Sequence, residues 1–115
     1  MNDLFTTGTG PAAFRPDGEK PLHNKDTTVK VRRDHLSGVL KEIGPDIVVV
    51  AEGPSRQEEL ALFFQKDVPG TWKVDLQSTA GQSQNMGIAV RTDTGKFLAP
   101  AFTRQDTNAD KRFDP

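Results

Sequence analysis

Apolar residues recur along this chain at two spacings, one helical and one of period two, with a single uninterrupted run between them. Val29, Leu36, Val39, Leu40 and Ile43 are spaced by three, four and seven, which places them on one face of a helix. Lys30, Arg33, Asp34, Ser37 and Lys41 fall largely opposite, and Thr27 or Thr28 is the expected N-cap. Gly44-Pro45 ends this helix, because glycine accepts a left-handed cap and proline cannot continue it. Asp46 then opens Ile47-Val48-Val49-Val50-Ala51-Glu52. Four successive β-branched residues without alternation predict a strand buried on both faces, as at the centre of a layered sheet. Ser55 and Glu58 have capping-box spacing ahead of Leu60, Leu62, Phe63 and Phe64, which predicts a second helix to about Lys66. Val68-Pro69-Gly70 marks a turn. Trp72, Val74 and Leu76 then alternate with Lys73, Asp75 and Gln77, a strand with one wet face. After a polar loop at 78–84, Met86, Ile88 and Val90 alternate again, giving a strand over about 85–92. Asp93-Thr94-Gly95 turns the chain, and a further strand is expected to begin at 96–99.

The flanks lack this patterning. Residues 1–27 carry Gly8, Gly10, Pro11, Pro16, Gly18 and Pro21 with no sustained apolar period and are read as a long loop. Residues 99–115 are read as a polar tail, leaving 28–98 as the core of one domain. A doubly buried strand needs neighbours on both edges, and a helix leading into it implies a crossover from an earlier strand. No earlier strand is present in the sequence, so the domain is expected to be incomplete on its N-terminal side.

Charge and composition narrow the chemistry. Fifteen basic residues against 16 acidic ones leave a net charge of −1, with no global attraction to nucleic acid or anionic membrane. Phosphate substrates are still compatible with this balance, since a bound metal ion supplies positive charge locally. The absence of cysteine excludes disulfides and thiolate metal sites. The longest apolar run, 47–51, is far short of a membrane span, and the polar N-terminus has no signal-peptide pattern. A cytoplasmic location without a membrane partner is the default expectation.

The stretch Lys41-Glu42-Ile43-Gly44-Pro45-Asp46-Ile47-Val48-Val49-Val50-Ala51-Glu52 resembles the second-strand motif of the endonuclease/exonuclease/phosphatase superfamily, deoxyribonuclease-I-like in fold. Gln84-Asn85-Met86-Gly87-Ile88-Ala89-Val90-Arg91 is similar to that family's later strand with a G-[IV]-A-[IV] pattern. The resemblance covers about 28–98. It implies an α/β fold, a partial two-sheet β-sandwich flanked by helices, to which this chain contributes one sheet's interior strand and its neighbours. It also implies that Glu52 is a ligand for Mg²⁺ or Mn²⁺, because a hard cation takes carboxylate oxygens and neutralises charge on a phosphoryl group. The complete domain would hydrolyse phosphate esters in a nucleic acid, nucleotide or other phosphorylated substrate.

Departures from the family pattern are as informative. The strand bearing the family's metal-site asparagine has no counterpart; Met1–Phe5 resembles the segment after it, so Asn2 does not replace that ligand. Nor are there counterparts of the later aspartate–asparagine pair, the acid/base histidine with its aspartate, or the closing serine–aspartate–histidine motif. His23, in the long loop, and His35, on the first helix, stand in the wrong places. The chain therefore reads as a fragment or degenerate member of a metal-dependent phosphoesterase, inactive alone. The rival reading is a non-catalytic interaction or structural module that retains only the scaffold. In either case the unpaired strand edge should make the isolated chain self-associate.

Three weaker patterns carry less. Asp106-Thr107-Asn108-Ala109-Asp110 has the D-x-N-x-D spacing of a calcium loop, with Asp114 at position nine, but Lys111 replaces the loop's glycine and the sequence ends before position twelve. Gly8-Thr9-Gly10-Pro11 lacks the lysine that ends a phosphate loop. Lys30, Arg32 and Arg33 alternate with acids and read as a solvated helix face.

Overall fold

The computed structural model describes residues 1–6, 10–21, 26–77, 85–97 and 100–102. A 3₁₀ turn at Asn2–Leu4 precedes α1 (Val29–Ile43), β1 (Ile47–Gly53), α2 (Gln57–Lys66), β2 (Trp72–Gln77) and β3 (Asn85–Arg91). The strands form one antiparallel sheet in the order β1-β3-β2. Helices with a small sheet make this a mixed α/β arrangement, as expected in outline.

The register separates two faces of the sheet. Val48 and Val74 lie opposite Ala89, and Val50 and Leu76 opposite Gly87. This row faces the helices. Small residues are required on β3 there because α2 lies close: a Cβ at Gly87 would stand 2.7 Å from Leu60 Cδ2 and 3.3 Å from Leu76 Cδ1. Leu60, Phe63 and Phe64 are fully buried against this face, each stabilising the fold by about 1.5–3 kcal/mol. Phe63 and Phe64 meet edge-on at 5.4 Å, and Phe64 reaches the Trp72 ring at 5.0 Å. The apolar alternation Met86, Ile88, Val90 lies on the opposite face, beside Ile47 and Val49.

β1 departs from the expected interior strand. Among the described residues it is an edge, paired only with β3, and its burial alternates: Ile47 and Val49 are exposed, Val48 and Val50 half-buried. A run of β-branched residues carries no period, so the pattern alone could not assign one dry and one wet face. The register slips by one residue between Val50 and Gly53, a bulge that places Ala51 and Glu52 together opposite Met86.

The N-terminal segment is largely irregular, as expected, but it supplies core. Leu4 and Phe5 are buried at 0% and 2% exposure. Phe5 bridges Phe14 and stacks on its ring at 4.9 Å. The Thr6 and Arg15 N–H groups donate to the Ala13 and Leu4 carbonyls, closing the loop on itself. The same segment caps α1: Val29 and Lys30 donate N–H to the Glu19 and Asp17 carbonyls, and the Thr28 hydroxyl accepts from Val31. The α1 stripe that turns inward is Val29, Arg33, Leu36, Ser37 and Leu40, while Val39 and Ile43 remain exposed. Arg33 forks onto Asp67 at 2.8 and 2.7 Å and lies 3.6 Å over the Phe14 ring. It thereby ties α1, the end of α2 and the N-terminal segment together. At the far end Gly44 takes the left-handed cap at φ 64°.

Two boundaries differ from expectation. α2 is capped one residue later than the Ser55/Glu58 box: the Arg56 N–H donates to the Glu59 carboxylate at 3.2 Å. Glu59 is buried and is paired with the Arg56 guanidinium at 3.6 Å, so it belongs to the core side of the first turn. Lys96 and Phe97 are not in a strand, and the rest of the expected 96–99 strand lies outside the described residues. No helix among the described residues is long and apolar enough to cross a membrane.

Candidate functional site

β1 runs back alongside α1 and ends at the bulge carrying Glu52, whose side chain is exposed. Beside this strand, on the edge away from β3, an open groove of about 440 Å³ lies between β1 and α1. Its floor is apolar, made by Leu36, Leu40, Val48, Val50, Phe63 and Phe64. Its rim is polar: Arg32 and His35 from the first half of α1, Glu52 from β1, and Met1 from the N-terminus. The α1–β1 reversal explains the grouping, since two elements running in opposite senses bring the start of one level with the end of the other.

The Met1 ammonium donates to the Glu52 backbone carbonyl at 3.4 Å and stands 3.9 Å from Asp3 Oδ1. Burial pushes this ammonium below its usual pKa, against which the Asp3 carboxylate pulls upward; Arg32 adds to the depression and Glu52 opposes it. Asp3 Oδ1 is a buried oxygen without a hydrogen-bond partner, so this ammonium is the charge that compensates it. Sequence reasoning missed Met1 and Asp3 at this point. Contacts spanning 51 residues leave no periodic signal, and only the packing of Leu4 and Phe5 brings the N-terminus here.

Of the residues singled out in the sequence, the structure places Glu52 and His35 on the same groove rim. His23 and the calcium-like spacing at 106–114 lie outside the described residues. Lys30 is committed to an exposed pair with Asp34, and Arg33 to Asp67, so the basic cluster of α1 does not form a free patch. Among the described residues no three histidines, aspartates or glutamates are grouped so as to hold a metal ion. Magnesium commonly binds through one or two protein carboxylates and keeps several waters. The exposed Glu52 carboxylate is of the chemical type such an ion takes, and no second carboxylate or histidine pair joins it in a three-ligand group among the described residues. No side chain on the rim is placed by an aspartate partner as a general base, so no hydrolytic step can be built from the described residues alone.

No family model matches the chain, and neither a curated protein nor a solved structure matches it.

Proposed function

We propose that this chain is an incomplete phosphoesterase scaffold of the endonuclease/exonuclease/phosphatase kind, carrying one ligand for Mg²⁺ or Mn²⁺ at Glu52 and lacking the acid/base residues. The observation that supports it is the delivery of an exposed carboxylate by an apolar strand to the rim of an open groove. A metal bound there would polarise a phosphoryl oxygen and neutralise charge on it. This chain's contribution is to hold the Glu52 backbone at the bulge and to present its carboxylate to solvent. The apolar outer face of the sheet, with Ile47, Val49 and Met86 exposed, is where the second sheet of a sandwich would pack. The substrate class is a phosphate ester, in a nucleic acid, nucleotide or other phosphorylated molecule.

The test is turnover of bis(p-nitrophenyl) phosphate by the purified chain in MnCl₂ or MgCl₂. The proposal expects none above background, because one carboxylate does not substitute for a site whose parts act together. Turnover that disappears in Glu52→Gln would overturn the incompleteness. A second reading, a non-catalytic interaction module, is favoured by the lack of a three-ligand group among the described residues. It predicts that Glu52→Gln leaves divalent-cation binding unchanged.

A further inference from the structure

The groove between α1 and β1 exposes apolar surface on the side of the sheet where the core lies. Leu36, Leu40, Val48 and Val50 face the core and yet are only half-buried, and the space they border is about 440 Å³. Small-molecule sites span roughly 300–1,000 Å³. A cavity of about 150 Å³ admits one benzene ring, so the groove has room for a fused pair of rings or an alkyl chain of similar bulk. Among the described residues, the polar side chains on its lining are Arg32, His35 and Glu52, all at the rim. The floor offers no side-chain hydrogen bond to a hydroxyl, so a sugar or polyol laid on it would lose water without replacement. An aryl or alkyl group has no such loss and gains by leaving water.

The rim supplies a charged end. Arg32 and His35 are three residues apart on α1, on the face that carries Leu36 and Val39 toward the groove. Lys30 and Arg33 are held by Asp34 and Asp67, whereas no carboxylate of the described residues stands within ion-pairing distance of Arg32. Its guanidinium is free to fork onto a phosphate. Arg32 and Glu52 both act on the Met1 ammonium, one lowering its pKa and the other raising it, so both lie at the same end of the groove.

We infer that the ester this site accepts is the phosphate of an apolar alcohol, its aryl or alkyl group on the floor of Leu40, Val48 and Phe63 and its phosphate at the rim of Arg32, His35 and Glu52. This narrows the substrate class proposed above and sets sugar and polyol phosphates aside. The phosphate end rests on the metal reading: Glu52 alone would repel a phosphate, and a divalent cation on it reverses that sign.

Titration of the ¹⁵N-labelled chain with 1-naphthyl phosphate in MgCl₂ tests it, with glycerol 1-phosphate and 1-naphthol as the two halves of the probe. Naphthyl phosphate should shift the Leu36, Leu40, Val48 and Val50 amides. It should bind about tenfold or more tighter than glycerol 1-phosphate, since only the naphthyl ring covers the floor. It should also bind about threefold or more tighter than 1-naphthol, and Arg32→Gln should remove that second margin. Equal affinity for the two esters, or shifts confined to residues outside the groove, would overturn the inference. So would 1-naphthol binding as tightly as its phosphate. Repeating the titration in EDTA separates the two readings. A preference for the naphthyl ester that persists with no gain from Mg²⁺ supports the apolar site and counts against the metal at Glu52.

Discussion

Replacing Phe5 by alanine should destabilise this protein more than its place in a glycine- and proline-rich segment suggests. Phe5 is 2% exposed and belongs to the same cluster as Leu60, Phe63 and Phe64, and its ring stacks on Phe14 at 4.9 Å. Truncating a fully buried phenylalanine costs about 3–5 kcal/mol, counting lost transfer free energy and the cavity left behind. The lost ring pair lies within that figure at about 0.5–1.5 kcal/mol. Domains of this kind are stable by only about 5–15 kcal/mol, so the substitution removes a large fraction of the total. At roughly 4 °C per kcal/mol for a chain of this size, the melting temperature should fall by about 12–20 °C. Thermal unfolding followed by circular dichroism, with urea titration to obtain ΔG, measures this. A loss below about 1 kcal/mol would refute the reasoning and return residues 1–27 to the status of an unpacked loop.

Arg33→Lys keeps the charge but loses the fork on Asp67 and the flat stack on Phe14; a loss of about 1–2 kcal/mol in urea unfolding is expected. Thr28→Ala removes the side-chain acceptor for Val31 at the start of α1 and should cost about 1 kcal/mol by the same assay. Gly70→Ala introduces a Cβ at φ 101° against the Arg91 guanidinium, and should lower the melting temperature more than Gly44→Ala, whose Cβ meets open space. Asp34→Asn breaks only an exposed pair with Lys30. That pair holds the Asp34 carboxyl below its usual range, so any contribution is present above that range and lost as pH falls through it; no change in melting temperature at pH 7 is expected.

What the sequence made legible was the local order of elements. The Thr28 cap, the Gly44 stop, the capping carboxylate near 58–59 and the alternation in Trp72–Gln77 all act within a few residues, and all are visible without a fold. The Ser55 cap failed by one position because Glu59, not Glu58, reaches back to a helix-start N–H, a choice made when Glu59 packs inward. The edge position of β1 was not legible, because four β-branched residues fit either a central or an edge strand. Nor was the face of β3, since the deciding fact is how closely Leu60 approaches Gly87. Leu4 and Phe5 were hidden for a related reason: two apolar residues without a period count for little in a sequence and for much once they reach the core. At the candidate site, Glu52 stood out because a carboxylate follows an apolar run. Met1 did not, because only the tertiary fold brings it to the same groove.

Paramagnetic broadening by Mn²⁺ reads out whether Glu52 holds a metal ion without the rest of a site. Sub-stoichiometric Mn²⁺ added to ¹⁵N-labelled chain broadens amides in proportion to their nearness to the bound ion. Selective loss of the Ala51, Glu52 and Gly53 signals is expected, with affinity on the order of millimolar, since one carboxylate leaves most of the ion's waters in place. Glu52→Gln should restore those signals. Spectra in which 51–53 broaden no more than the rest of the chain, or in which Mn²⁺ binds at micromolar concentration elsewhere and is indifferent to Glu52→Gln, would contradict it.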